Sequence, residues 1–160
     1  MSKEDFFSKE SKFIVFLLRL FLGIIMFYAG ITKVLTPNWS ASSFLTGQAT
    51  YGPFKEVFLI FANSSLVDFL VMWGLTLIGL ALIVGLFVRL ASFFGIFLMV
   101  MFYLPRIPPA PPAWFIEEHA IYATIFLLLI FTKSSSYLGL QKYFIKTKFA
   151  KKNKWIHKYL

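Results

Sequence analysis

Apolar positions in this chain come in long unbroken runs, not in the alternation of a half-buried strand or the single stripe of a soluble helix. The first twelve residues are mixed in charge, with Lys3, Lys9 and Lys12 against Glu4, Asp5 and Glu10. Phe13 to Leu35 then gives 23 mostly apolar residues. As a helix that run is about 34 Å long, enough to cross a bilayer. It is longer than the apolar core of a signal peptide and no small-residue cleavage site follows, so it reads as a retained first span. The next runs predict spans at about 67–87 and 89–104, separated by a turn at Arg89. Pro105 then opens PRIPPAPPA, whose five prolines favour an extended loop. A fourth span is harder to place. Only thirteen residues separate His119 from Lys133, about 20 Å of helix and too short to cross. Starting it at Ala113, for a span at 113–132, restores the length but draws Glu117, Glu118 and His119 within the membrane boundary.

The pattern predicts an all-α, polytopic membrane four-helix bundle over residues 1–141, followed by a basic tail at 142–160. Lys55 to Asn63 (KEVFLIFAN) is apolar but too short to span. It reads as a short interfacial or re-entrant helix, capping the bundle together with the loop from Thr36 to Pro53. No internal repeat is evident.

Charge supplies the orientation. Eight of the 16 Lys and Arg residues follow Thr132, and Arg89 sits in the turn between spans two and three. The other side carries Lys33, Lys55 and Arg106 beside Glu56, Asp68, Glu117 and Glu118. The positive-inside rule then places both termini in the cytoplasm of a plasma-membrane protein, which requires an even number of spans. The net charge of +9 therefore reads as topology and contact with anionic lipid, not as nucleic-acid binding.

Composition agrees. Charged residues are 14% of the chain and aromatic residues 20%, with 21 Phe among 160 residues, so water is excluded as the main solvent. The absence of cysteine excludes disulfides, thiolate metal sites, iron–sulfur ligation and covalent c-type haem.

Ionisable groups at membrane depth are costly and pair with one another or line functional cavities. On the outer side these are Lys33, Asp68, Arg106, Glu117, Glu118 and His119, with Tyr122 one helical turn beyond Glu118 and His119. The plain alternatives are that Lys33 snorkels outward and Glu117 faces water. Arg19 and Arg89, near the cytoplasmic edge, are expected to snorkel to lipid phosphates. In span one Arg19, Gly23, Met26, Gly30 and Lys33 share one face. Gly74, Ile78, Ala81, Gly85 and Arg89 do the same in span two, and span three offers Ala91 and Gly95. These glycines either let helices pack closely or leave room for a flat ligand. His157, the second histidine, lies in the basic tail across the membrane, so a bis-histidine haem within one chain is not available. The polar patch gathers too few ligands for a zinc or di-metal site, and no metal is expected. No phosphate-cradling glycine loop or Ser–His–Asp pattern occurs. One outer polar pocket of quinone or small-anion size remains.

Several motifs, in order, resemble a known family. LLRLFLGIIMFYAGITKVLTPNW (Leu17 to Trp39) is similar to the opening of DoxX/DoxD-type membrane proteins, with an Arg, a Gly, then G–x–x–K and Pro–x–Trp. LIGLALIVGLFVRLAS (Leu77 to Ser92) resembles the family's second helix, where glycines precede an Arg. FLTGQATYGPF (Phe44 to Phe54) and EHAIYA (Glu118 to Ala123) resemble its thiosulfate:quinone oxidoreductase branch. The family's closing G–L–D appears as Gly139, Leu140 and Gln141, and span two lacks the Glu that relatives often carry. The resemblance implies a four-helix membrane protein, in some members a subunit that oxidises thiosulfate and passes electrons to quinone. It directs attention to Arg19, Lys33, Trp39, Arg89 and His119.

Two readings from different classes follow. In the redox reading, the outer patch binds a quinone or sulfur oxyanion. Lys33 and Arg106 neutralise charge, His119 relays protons, Glu118 orients His119, and Trp39 and Trp114 frame the mouth, with Asp68 and Tyr122 as further contacts. A noncovalent carrier such as quinone, or a redox partner subunit, then supplies the electron chemistry. In the other reading the protein is a membrane anchor or assembly subunit. Its tail, with Tyr143, Phe144, Phe149, Trp155 and Tyr159 among lysines, docks a partner or anionic lipid. Both leave homo-oligomerisation open. A transporter is the weaker third option, because four helices rarely enclose a pathway alone.

Overall fold

A computed structural model describes residues 9–47, 53–107, 116–132 and 139–147. The described residues are all helix, turn and loop. The long helices are α1 (Lys9–Leu35), α4 (Ser65–Val84) and α5 (Val88–Tyr103), which a 3-10 turn (Leu104–Arg106) extends. Shorter pieces are α2 (Ser42–Thr46), α3 (Lys55–Leu59), α6 (Glu118–Phe131) and α7 (Gln141–Phe144). Three helices are long and apolar enough to cross a membrane: α1, α4, and α5 with its 3-10 extension. The fourth expected span is shorter than anticipated: α6 has 14 residues, or about 21 Å. The expected start at Ala113 is not met, because Glu117 is extended (φ -106°, ψ 165°) and the helix begins at Glu118. Residues 113–115 (Trp114 among them), His157 and most of the basic tail lie outside the described residues.

Two faces of each long helix are apolar. On α1 the buried stripe is Val15, Arg19, Leu22, Gly23, Met26 and Gly30, while Phe13, Ile14, Phe21, Ile24 and Tyr28 are exposed. A water-facing surface of this kind would be an extended apolar patch. In lipid it is the expected outer surface, so the protein is a helical membrane protein in contact with lipid.

The stripes also set the packing. Helix α1 lies on α4, α4 on α5, α5 on α6 and α6 on α1. Between α1 and α4 small residues bring the backbones together in antiparallel register: Gly30 meets Thr76, Phe27 meets Gly79, and Gly23 meets Ile83. A Cβ on Gly30 would stand 2.8 Å from Thr76 Cα, inside the separation that real Cβ atoms keep. These glycines serve helix contact and leave no room there for a flat ligand.

Helix α4 ends in a glycine cap. Gly85 is left-handed (φ 70°) and its N–H donates to the carbonyls of Ala81 and Leu82, while the Leu86 N–H also reaches Ala81 O at 3.1 Å. Phe87, at φ 53°, completes the reversal and α5 begins. The turn receives the C-terminal segment, since the Leu140 N–H donates to Val84 O at 3.1 Å and Phe87 and Phe144 stack edge-on at 5.6 Å. A Cβ at Gly85 would meet Gly139 Cα at 2.7 Å. Gly85→Ala thus combines a left-handed strain of about 1 kcal/mol with a backbone clash. It should lower the thermal midpoint of the purified protein clearly. An unchanged midpoint would contradict this account of the turn.

Arg19 does not snorkel. Its residue is 0% exposed, its guanidinium lies 5.3 Å from the Phe16 ring, and it packs against Gly85. The physical reason is its face: Arg19 shares the buried stripe of α1 and cannot reach lipid without turning that stripe outward. Arg89 is half-buried at the start of α5, with Nε enclosed.

Candidate functional site

At the end of the molecule opposite Arg19, the chain builds a cap before α4 begins. After α1, Asn38 takes a left-handed conformation (φ 54°), which Asn tolerates better than most residues. The Trp39 N–H then donates to Thr36 O at 3.3 Å, and the turn places the indole over Lys33, whose Nζ is 5.5 Å from the ring centroid. Lys33 Nζ also donates to Ala29 O, one turn back along α1, at 2.8 Å. Beyond Trp39 the backbone is tied to α4 by Asp68. Its carboxylate accepts from the Ala41 N–H at 2.7 Å and from Ser40 Oγ at 3.2 Å. This tie seats α2, with Leu45 and Ala41 packed against Ala62 beyond α3. Asp68, expected among the substrate contacts, therefore holds the cap, and its place in the first turn of α4 suits its charge.

Under this cap, α1, α4, α5 and α6 enclose a cavity of about 350 Å³. Lys33, Trp39, Glu118, His119 and Tyr122 all line it. Apolar side chains complete the wall: Met26 and Ala29 from α1, Val71 and Leu75 from α4, and Met99 and Phe102 from α5. Five of the seven residues read from the sequence as catalytic or substrate-binding thus face one space. Asp68 and Arg106 are not among its lining residues.

Arg106 acts next door. Its guanidinium forms an ion pair with Glu117, the residue just before α6. The other oxygen of that carboxylate lies 3.5 Å from His119 Nδ1. Arg106, Glu117 and His119 thus lie in line from the 3-10 turn after α5 to the cavity wall, with no hydrogen bond formed at His119 Nδ1. The carboxylate that lies 3.5 Å from His119 Nδ1 is that of Glu117, while Glu118 is exposed on the cavity rim. The Glu117 side chain is 10% exposed, so it does not simply face water. Sequence reasoning gave it too little weight, because nothing in the local pattern joins it to an arginine eleven residues earlier across a proline-rich loop. On its other side His119 meets the edge of Phe102, with ring centroids 5.6 Å apart. Glu117, Glu118 and His119 could each offer one ligand atom within 4.8 Å of the others. With Arg106 holding Glu117, however, a second cation there would meet a like charge.

Chemically, the cavity offers one ammonium, one imidazole, one phenol and one carboxylate around an apolar floor. No serine, threonine or cysteine stands beside the imidazole among the described lining residues. These groups can hold a ligand and exchange a proton with it.

The family model described as DoxX matches residues 14–104. The chain belongs to the DoxX family. The match covers α1 through α5, hence the cap and the Lys33, Trp39 and Phe102 parts of the cavity wall. Glu117, just before α6, and Glu118, His119 and Tyr122, on α6, lie beyond the matched residues. No curated protein and no solved structure matches the chain.

Proposed function

We propose that this DoxX-family protein is a redox-associated membrane subunit that binds a quinone ring or small sulfur oxyanion at its outer face. In this reading it crosses the plasma membrane four times, with both termini cytoplasmic and α6 as the fourth crossing. The observation that carries the reading is the convergence of Lys33, Trp39, Glu118, His119 and Tyr122 on one cavity of about 350 Å³, a volume typical of small-ligand sites. The residues suit a quinone ring. Trp39 and Tyr122 offer flat surfaces, Lys33 an ammonium for a carbonyl or anionic oxygen, and His119 a nitrogen other than the one beside Glu117. A bound quinone supplies the electron-accepting chemistry. The chain's part is to hold the ring, to neutralise charge through Lys33, and to pass a proton at His119, which Glu117 orients. Electrons then come from a partner subunit or from the sulfur substrate.

Native mass spectrometry of protein gently extracted from its own membrane tests this reading. A retained quinone or an associated redox subunit is expected. A bare chain or homo-oligomer carrying lipids alone would count against it and turn attention to the basic tail as a docking element.

A further inference from the structure

Beside the ligand cavity lies a second one, of about 270 Å³, between the cap helices α2 and α3 and the long helices α4 and α5. Every side chain lining it is apolar. Phe58 and Phe61 come from the cap, Val67 and Leu70 from α4, and Phe97 and Leu98 from α5. Phe61, Leu70 and Phe97 are also exposed, so the cavity opens on the apolar outer surface of the helices and can be entered from the membrane. Water is a poor occupant, because it would find no hydrogen-bond partner on these walls. An apolar chain is the fitting one.

The two cavities are adjoining. Ala41, Phe44, Val71 and Phe102 line both. Part of the partition is a pair of rings, Phe44 on α2 and Phe102 on α5, which meet edge-on at 6.5 Å. The opposite neighbour of Phe102 is His119, at 5.6 Å. The division between a polar space and an oily one thus includes two side chains able to rotate, not a helix backbone. The volume favours one linear chain over the paired chains of a phospholipid. The first cavity sets one lysine beside flat aromatic walls, which fits a ring more readily than a phosphodiester.

We propose that the second cavity holds the single alkyl or isoprenoid chain of a quinone whose ring lies in the first, the chain passing between Phe44 and Phe102. This rests on the ring-binding reading of the first cavity and narrows it, because a water-soluble oxyanion has no use for the second. Because lipid is as apolar as the pocket, the chain's effect on affinity comes from seating the tethered ring and not from hydrophobic transfer. Its role is therefore register: it brings the ring in from the membrane side and fixes its position against His119.

The test uses the full-length protein in one detergent. Decylubiquinone and the same ring without its tail are titrated against Trp39 fluorescence, isolated by subtracting the signal of Trp39→Phe. Val67→Phe and Leu98→Phe fill the second cavity from opposite walls, and neither residue lines the first. Either variant should weaken the tailed quinone by about tenfold, the scale of a steric change in an apolar pocket, and leave the tail-less ring unchanged. Two variants are used so that one misfolded protein does not decide the matter. If both folded variants bind the tailed quinone as the wild type does, the proposal is overturned while the ring site stands. If neither quinone quenches Trp39 in the wild type, the ring-binding reading itself falls, and this inference with it. If a single-chain phosphatidylglycerol displaces the tailed quinone but not the tail-less ring, the two chains compete for one cavity and the proposal is supported.

Discussion

His119→Ala should cut quinone reduction by a hundredfold or more while the protein is recovered folded and in normal amount. The fold tolerates the change because His119 sits in the first turn of a helix, where alanine is a better helix former. Its principal loss is the ring contact with Phe102, worth about 1 kcal/mol. The chemistry does not tolerate it, since His119 is the one imidazole on the cavity wall and positioned acid–base groups contribute about 10²- to 10⁴-fold. Glu117→Gln is the informative companion. It keeps the size of the side chain but removes the charge between Arg106 and His119. The imidazole is then present but loosely aimed, and a loss of about ten- to a hundredfold in kcat is expected. Glu118→Gln should cost less, because that carboxylate is exposed and is not the one beside Nδ1. Steady-state reduction of a soluble quinone by membranes carrying each variant measures all three. Full turnover in His119→Ala would remove the proton-relay role. Equal losses at Glu117 and Glu118 would remove the orienting one.

That contrast between neighbouring glutamates shows where sequence reasoning stops. The long helices were legible because a bilayer imposes a length, and unbroken apolar runs of that length have few other uses. The buried face of α1 was legible too: Arg19, Gly23, Met26, Gly30 and Lys33 fall at helical spacing, and Lys33 does reach the cavity from that face. The expectation that Arg19 snorkels failed because its nearness to the cytoplasmic edge counted for less than the buried face it shares with Gly23 and Met26. Pairings across loops were not legible. Nothing near Asp68 announces that its carboxylate takes the Ala41 N–H, and nothing near Glu117 announces Arg106. Helix α2 has no periodic pattern in its five residues and is held by its contact with α3, by Leu45 against Ala62 and by the ring contact of Phe44 with Phe102, none of which the local sequence announces. The second cavity depends on that helix, so it was invisible as well.

The largest effect on stability should come from Gly79, which the sequence pattern did not single out. Gly74, Ile78, Ala81 and Gly85 mark one stripe of α4, yet the residues packed on the core are Val71, Leu75, Ile78, Gly79 and Leu82. A Cβ on Gly79 would stand 2.5 Å from Phe27 Cα and closer still to its backbone nitrogen. Backbone cannot swing aside as a side chain can, so α1 and α4 must separate along the length where Gly30, Phe27 and Gly23 hold them in register. Alanine at this position gains about 1 kcal/mol in helix propensity. The overpacking penalty of about 1–3 kcal/mol or more exceeds that gain, and Gly79→Val should prevent recovery of folded protein. Gly74→Ala is the control. Its nearest neighbour is a methyl carbon of Leu98 at 3.3 Å, which can yield, so the propensity gain should win and the variant should be at least as stable as the wild type. Gel filtration after a heating series compares them, and similar midpoints for Gly79→Ala and Gly74→Ala would refute the backbone-contact account. The consequence reaches the ligand site, because α1 carries Lys33 and Met26 while α4 carries Val71 and Leu75 on the facing wall. A destabilised but folded Gly79→Ala protein should therefore hold its ligand less tightly with no change in any residue that touches it.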